Sequence, residues 1–272
     1  MRCRSSFKLL CLVPTVLVTA SFFTPTIADE HQPDCALSLG QVVTQPGKEL
    51  DGELEVLSWN IQKASNTGWA EDLVSFSQDI DLAFIQEASV GAQIPQIIST
   101  ELYPAFAAGY TTADLETGVL TLSAGTPSVQ CNLTALEPWL GTPKATSITE
   151  YPLLNRDDRL LAINLHAINF DLGLESLQSQ FDALREVLAG HAGPVILAGD
   201  LNTWSSDREL LVHNFLTEYG LASVVFEPDL RTRAFGRALD HIYVRGLRAD
   251  NARVIPVSSS DHNPLRVRLA IL

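Results

Sequence analysis

PVILAGDLN, residues 194–202, is an apolar run that stops on a carboxylate and a carboxamide. Its length and aliphatic content suit a buried strand. Ala198 and Gly199 carry almost no side chain, so the backbone there can come close to a ligand. Asp200 and Asn202 are two residues apart and point the same way from a strand end. One could orient a water while the other donates to a phosphoryl oxygen. Taken alone, the pair reads equally well as a capping Asp and a turn Asn. Recurrence decides between the two. Leu57-Ser58-Trp59-Asn60, Phe84-Ile85-Gln86-Glu87, Asn164-Leu165-His166, Leu239-Asp240-His241 and Ser260-Asp261-His262-Asn263 likewise place polar residues just after strand-like stretches. Strand ends are where an α/β scaffold presents chemistry to a cleft. Oxygen donors from such ends suit a hard cation, Mg²⁺ or Mn²⁺, and the histidines suit acid, base or phosphate-binding work.

Working outward, Leu54 to Ile61 alternates as a strand and Asp81 to Glu87 forms a second. Further strands are predicted at 117–123, 144–151, 159–168, 239–244, 252–257 and 264–271. Trp69, Leu73 and Phe76 share one face of a helix over 69–76. Leu174, Leu177, Phe181, Leu184 and Leu188 recur at three- and four-residue steps, which predicts one amphipathic helix stopped by Gly190 and Gly193-Pro194. Leu210 to Tyr219 predicts another, stopped by Gly220. Residues 29–52, with Pro33, Gly40, Pro46, Gly47 and Gly52, read as an irregular arm, and 94–102 is assigned to no element. Strands outnumber helices and several neighbours lack a crossover helix. That pattern predicts mixed, largely antiparallel sheets with helices outside, rather than a doubly wound parallel sheet.

The chain has 272 residues, 46% hydrophobic and 18% charged, as a globular protein does. Arg2, Arg4 and Lys8 precede an apolar run from Leu9 to Phe23, and Thr26-Ile27-Ala28 offers small residues for cleavage, so 1–28 reads as a signal peptide. An uncleaved N-terminal anchor is the alternative; Pro14 and the shortness of the run count against it. The expected location is therefore periplasmic or extracellular. Loss of 1–28 removes three basic residues from 18, leaving 15 Lys+Arg against 32 Asp+Glu, a net of −17. Nucleic-acid binders usually carry the opposite balance. Between Arg231 and Arg268, however, eight arginines face only three aspartates, an excess that could draw a phosphate. Cys35 and Cys131 are the cysteines left after cleavage, an even count that fits a bridge in an oxidising compartment; two buried thiols are the alternative.

Together the six clusters resemble the endonuclease/exonuclease/phosphatase superfamily with its DNase I-like fold, in the family's order and over residues 54–272. Gly118-Val119-Leu120-Thr121-Leu122-Ser123, Thr142-Pro143-Lys144-Ala145, His166-Ala167-Ile168-Asn169-Phe170 and Arg233-Ala234-Phe235-Gly236-Arg237 look like its bacterial YafD-like branch. The resemblance implies a four-layer α/β sandwich over 53–272, two packed sheets with helices outside and the site at one end. It implies an Mg²⁺- or Mn²⁺-dependent phosphoesterase in which Glu87, Asn60 and Asp261 serve the metal. Asp200 would orient or deprotonate water, held with the phosphate by Asn202. His262, oriented by Asp240, would bind phosphate or act as acid/base, and which of Asp200 and His262 is the base stays open. His166 would contact a phosphoryl oxygen, with Asn169 nearby. Lys63 and Lys144 are two of three lysines in the mature chain and are candidates for substrate contact, with ordinary surface roles as the alternative. Gln62 departs from family members that place a second acidic ligand there, which argues against two metals. Nucleic acid, phospholipid and phosphomonoester remain open as substrates for a monomer with no stable protein partner. A catalytically silent binding protein on the same fold is the competing reading. His241 alternates with Asp240 and should face away from the site, while His31, His191 and His213 read as structural or surface residues.

Overall fold

The computed structural model describes residues 35–40, 47–98, 101–171 and 173–272; the expected signal segment and His31 lie outside them. Gln32–Leu272 forms one compact unit. Its strands are β1 (Glu53–Asn60), β2 (Leu82–Ser89), β3 (Tyr103–Thr111), β4 (Glu116–Ser123), β5 (Val129–Leu136), β6 (Pro143–Pro152) and β7 (Arg159–His166). They continue as β8 (Val195–Asp200), β9 (Ala222–Ser223), β10 (Arg233–Ala234), β11 (Arg237–Ala238), β12 (Asp240–Arg245), β13 (Leu247–Val254) and β14 (Leu265–Ile271). The helices are α1 (Cys35–Ser38), α2 (Trp69–Phe76), α3 (Ile94–Ile97), α4 (Glu175–Asp182), α5 (Arg185–Gly190) and α6 (Ser206–Glu218). Two six-stranded sheets, β13-β14-β1-β2-β4-β3 and β5-β6-β7-β8-β12-β9, account for all strands but the small hairpin β10–β11. Among the described strands only β1–β2 and β7–β8 pair in parallel, so the sheets are mixed and largely antiparallel.

Strand periodicity explains the layering. In β1, β2, β7, β8 and β12 the even-numbered residues face the other sheet. Leu54, Val56, Leu82, Phe84, Leu160, Ala162, Ile196, Ala198, Ile242 and Val244 meet there in one buried cluster. Odd-numbered Leu57, Trp59, Ala83 and Ile85 turn outward to pack on α2 and α3. Leu161, Ile163, Leu165, Val195 and Leu197 turn outward on the other side, under α4, α5 and α6. The result is helix, sheet, sheet, helix. Toward one end of the shared core the even positions become polar. Gln86 Nε2 donates to Asn164 Oδ1 across the sheets at 2.7 Å, and Asn164 Nδ2 donates to Leu120 O at 3.1 Å. This fully buried amide pair is a seam between apolar core and site; both amide NH₂ groups and the Asn164 oxygen are hydrogen-bonded, while Gln86 Oε1 is left without a partner.

Several expectations need correction. The helix predicted over 174–188 is two, α4 and α5, because the chain tightens where Leu184 N bonds Phe181 O at 2.9 Å; the apolar stripe continues across the break. Residues 94–102 contain α3, and the arm at 29–52 is not wholly irregular, since Cys35–Ser38 forms a helical turn tied to β5 by the Cys35–Cys131 disulfide. The strand expected at 252–257 runs Leu247–Val254, with a register shift between Asp250 and Arg253. The arginine excess of 231–268 does not line the cavity, and most of it is answered by carboxylates. Arg231 and Arg233 pair with Asp229, Arg237 with Glu209, Arg248 with Asp250, and Arg266 and Arg268 with Glu55, while Arg245 bonds backbone carbonyls.

Candidate active site

The polar even positions open into a cavity of about 550 Å³ at one end of the sheets. Asn60, Lys63, Glu87, Lys144, His166, Asn169, Asp200, Asn202, Asp261 and His262 all line it, and Asp240 lies directly behind His262. Local structure aims each of them. Gly199 is required because a Cβ there would come within 1.9 Å of Leu165 O on the parallel neighbour β7, and that contact sets His166 opposite Asp200. Glu87 would point away from the cleft by strict alternation. A bulge between Ile85 and Ala88 puts it at φ 50° and swings the carboxylate round. Such a conformation costs a non-glycine residue about 1 kcal/mol, so the fold sustains it from elsewhere. Ser260 Oγ donates to Asn60 O at 2.7 Å and accepts from His262 N at 3.1 Å, and Trp59 Nε1 donates to His262 O at 2.9 Å. These bonds lock the loop before β14 to the end of β1.

Two subsites stand out inside the cavity. In the first, His262 Nδ1 is 2.8 Å from Asp240 Oδ2 and its Nε2 is 3.9 Å from Asp200 Oδ2, which also accepts from Asn60 Nδ2 at 3.1 Å. Burial opposes charge on His262, but Asp240, Asp200 and Asp261 outweigh it and raise the imidazole to about 10. Burial pushes the Asp200 carboxyl up to about 6, against the pull of His262. In the second, Lys144 Nζ lies 2.9 Å from His166 Nε2 and 3.9 Å from Glu137 Oε1. Burial first and the neighbouring Lys144 second hold His166 well below the usual histidine range, so it stands neutral with Nε2 accepting from Lys144. Lys144 is itself lowered by burial, with Glu87, Asp200 and Glu137 opposing.

A cation would find oxygen donors here. The partners of the Glu87 carboxylate are themselves cationic or potentially so: Lys63 Nζ at 3.0 Å and His166 Nε2 at 3.9 Å. Lys63 thus neutralises Glu87 in this structure, and Asn60 and Asp261 line the same cavity. Among the described residues the tightest group of ligating atoms is Asp200, Asp240 and His262, all within 4.8 Å. That buried trio could also hold an ion, although the short Asp240–His262 bond makes it read first as a hydrogen-bonded relay.

Other residues escaped the sequence reading. Glu137 is buried, and its two oxygens accept from the backbone N–H groups of Asn169 and Phe170, each at 2.8 Å. It fixes the 169–170 loop and faces Lys144. Its only sequence signal is a carboxylate at the end of β5, a strand whose pattern is too irregular to read. Arg208 is buried and donates to Asn202 O at 2.7 Å, holding the turn that carries Asn202 at φ 48°. Asn202 Nδ2 donates to Ala167 O at 3.0 Å and Asn169 Oδ1 accepts from Trp204 Nε1 at 3.1 Å, so both side chains are firmly positioned. His241 faces away as expected: its Nε2 contacts Thr203 Oγ1 at 2.7 Å and its Nδ1 contacts Arg231 at 3.1 Å. His191 is buried beside Glu150, and His213 is exposed on α6.

Known proteins resemble this chain in sequence or in fold. A UPF0294 protein of Vibrio cholerae is 39% identical over 226 residues, covering 82% of this chain and 80% of its own. One from Vibrio vulnificus is 38% identical over 234 residues, covering 84% and 81%. The mannosyl-6-phosphatase of Bacteroides thetaiotaomicron superposes with a TM-score of 0.61 at 17% identity, over 80% of this chain and 100% of that one. Truncated TDP2 of Caenorhabditis elegans gives 0.55 at 15%, over 80% and 98%. With its sequence pattern matched over residues 57–262, the chain belongs to the Endonuclease/Exonuclease/phosphatase family.

Proposed function

We propose that this chain is an exported, Mg²⁺- or Mn²⁺-dependent phosphoesterase acting as a monomer by in-line attack of water on a phosphate ester. The observation that carries the reading is the single cavity in which Glu87, Asp200, the His262–Asp240 pair and the His166–Lys144 pair converge from different strand ends. A bound divalent ion would supply Lewis-acid polarisation of the phosphoryl oxygen. Glu87, with Asn60 and Asp261, would hold it. Asp200, pushed up to about 6, can orient and take a proton from water near neutral pH. His262 has its Nδ1 fixed by Asp240, leaving Nε2 to meet a phosphoryl oxygen or protonate a leaving group. Lys144, held by His166 Nε2, would place positive charge and N–H donors where negative charge grows in the transition state. Asn202 orients the water and phosphate, and Asn169 and Lys63 contact the remainder of the substrate.

Export rests on the basic and apolar character of residues 1–28 and on the Cys35–Cys131 bridge, which an oxidising compartment favours. Among the described residues no helix is long and apolar enough to cross a membrane. The test is a panel assay of the purified protein with Mg²⁺ and Mn²⁺ against plasmid DNA, RNA, phospholipids and p-nitrophenyl phosphates. Metal-dependent turnover of at least one class is expected. Inertness toward all of them, from folded protein, would favour a silent binding protein on this fold.

A further inference from the structure

A second cavity, of about 680 Å³, adjoins the catalytic one and shares Leu140, Asn169, Phe170, Asn202 and Leu239 with it. Beyond that common wall it is bounded by Trp139, Trp204, Ala234 and Phe235. Its apolar rim comes from three separate stretches of chain. Phe235 is 90% exposed, Trp139 66%, Leu140 60% and Phe170 55%. Single exposed apolar residues are ordinary, but a contiguous set beside a polar site marks a binding surface. Phe235 sits at the tip of the β10–β11 hairpin at φ 49°, followed by Gly236 at φ 81°. A bulky aromatic residue is disfavoured in that left-handed conformation, and here its ring is edge-on to Trp204 at 6.1 Å.

Several of the polar atoms around this groove are already engaged by the protein, and the remaining amide atoms of Asn169 and Asn202 lie on the wall shared with the catalytic cavity. Asn169 Oδ1 takes the Trp204 indole N–H, and Asn202 Nδ2 is given to Ala167 O. The Asp171 carboxylate accepts from Gly173 N at 3.1 Å and Ser176 N at 2.9 Å. A nucleobase would bring donors and acceptors that find few partners here, and each one left unpaired weakens binding. The net charge of −14 also disfavours a polyanion. A hydrocarbon loses nothing in such a groove. We propose, resting on the phosphoesterase reading above, that the groove is a subsite for the hydrocarbon chain of a lipid phosphoester whose phosphate occupies the catalytic cavity.

The experiment is calorimetric binding of ethyl, butyl, hexyl and octyl phosphate, all below their micellar concentrations, and of thymidine monophosphate. It uses the full chain, its Phe235→Ser and Trp139→Ser variants, and Mn²⁺ throughout. Both substituted residues are well exposed, so the variants should fold, and any contribution of residues 1–28 is common to all three proteins. Affinity should rise by roughly three- to fourfold per methylene that enters the groove, following about 0.8 kcal/mol per buried CH₂. The octyl-to-ethyl affinity ratio should fall at least fivefold in each variant. Ethyl phosphate binding with no gain from chain length overturns the groove proposal and leaves the phosphoesterase reading standing. Absence of binding by every phosphate overturns both. Thymidine monophosphate binding more tightly than hexyl phosphate, and losing that advantage in the variants, makes the groove a base-stacking site and overturns the lipid assignment.

Discussion

Replacing His262 and Asp240, singly and together, probes the relay at the heart of the cavity. Asp240 Oδ2 lies 2.8 Å from His262 Nδ1, both side chains are nearly inaccessible, and Asp240 stands behind the cavity wall and does not line it. Its shortest contact with the cavity is therefore through the imidazole, beside a weaker charge effect on Asp200. A charge-assisted hydrogen bond of this kind contributes about 1.5–3 kcal/mol. At about 1.4 kcal/mol per decade, Asp240→Asn should lower kcat by about 10- to 100-fold. His262→Ala removes the positioned group outright and should cost about 10²- to 10⁴-fold. With the ring gone, Asp240 has nothing to orient, so the double variant should be no slower than His262→Ala alone. The assay is kcat on bis(p-nitrophenyl) phosphate with saturating Mn²⁺, with thermal melts to show that each variant is folded. His241→Ala, on the opposite face of β12, should stay within about threefold of the parent below its melting temperature, since it touches no cavity residue. Multiplicative losses in the double variant would refute the relay. A crippled His241→Ala beside a mild His262→Ala would refute the assignment of the two motifs.

Two further outcomes follow from burial and topology. His241 is held down to about 4, chiefly by burial and then by Arg231, while the unfolded chain titrates near 6.5. As pH falls from 6.5 toward 4 the unfolded state gains a proton that the folded state refuses, so stability present above 6.5 is lost by about 2–3 kcal/mol. His241→Gln should show a correspondingly smaller drop in Tm between pH 7 and 4.5, and an identical drop would rule this out. The Cys35–Cys131 bridge closes a loop with a sequence separation of 96, worth roughly 4 kcal/mol by chain entropy. A Cys35→Ser/Cys131→Ser variant should melt several degrees lower, and mass spectrometry of non-reduced secreted protein should find no alkylatable thiol; two free thiols would disprove the bridge.

The site was legible in the sequence because strand periodicity is simple. The same parity that sends Val56, Phe84, Ala162 and Ala198 into the shared core sends Asn60, His166 and Asp200 to the cavity. Glu87 was recognisable as a strand-end carboxylate, but the bulge that turns it inward leaves no mark in residue type. Strands β3 and β5 were missed since they lie at sheet edges with irregular burial, where no face needs to be continuously apolar. Losing β5 also hid Glu137. The arginine-rich stretch misled because composition counts charges without their partners: Asp229, Glu209 and Glu55 answer the arginines from near and far. The groove beside the site was invisible, being assembled from Trp139, Phe170 and Phe235, which no local pattern links.

If an ion held by Glu87 is needed for phosphate-ester hydrolysis, chelation and loss of the carboxylate must each abolish turnover. The most direct test is the rate on bis(p-nitrophenyl) phosphate after exhaustive EDTA treatment, followed by titration with Mn²⁺, for the parent and for Glu87→Gln. The parent should be inactive in EDTA and recover fully with Mn²⁺, while Glu87→Gln should remain at least 10²-fold slower at the same Mn²⁺ with an unchanged far-UV spectrum. Undiminished turnover by the parent in EDTA, or a Glu87→Gln variant as active as the parent, would rule out a Glu87-bound ion in catalysis.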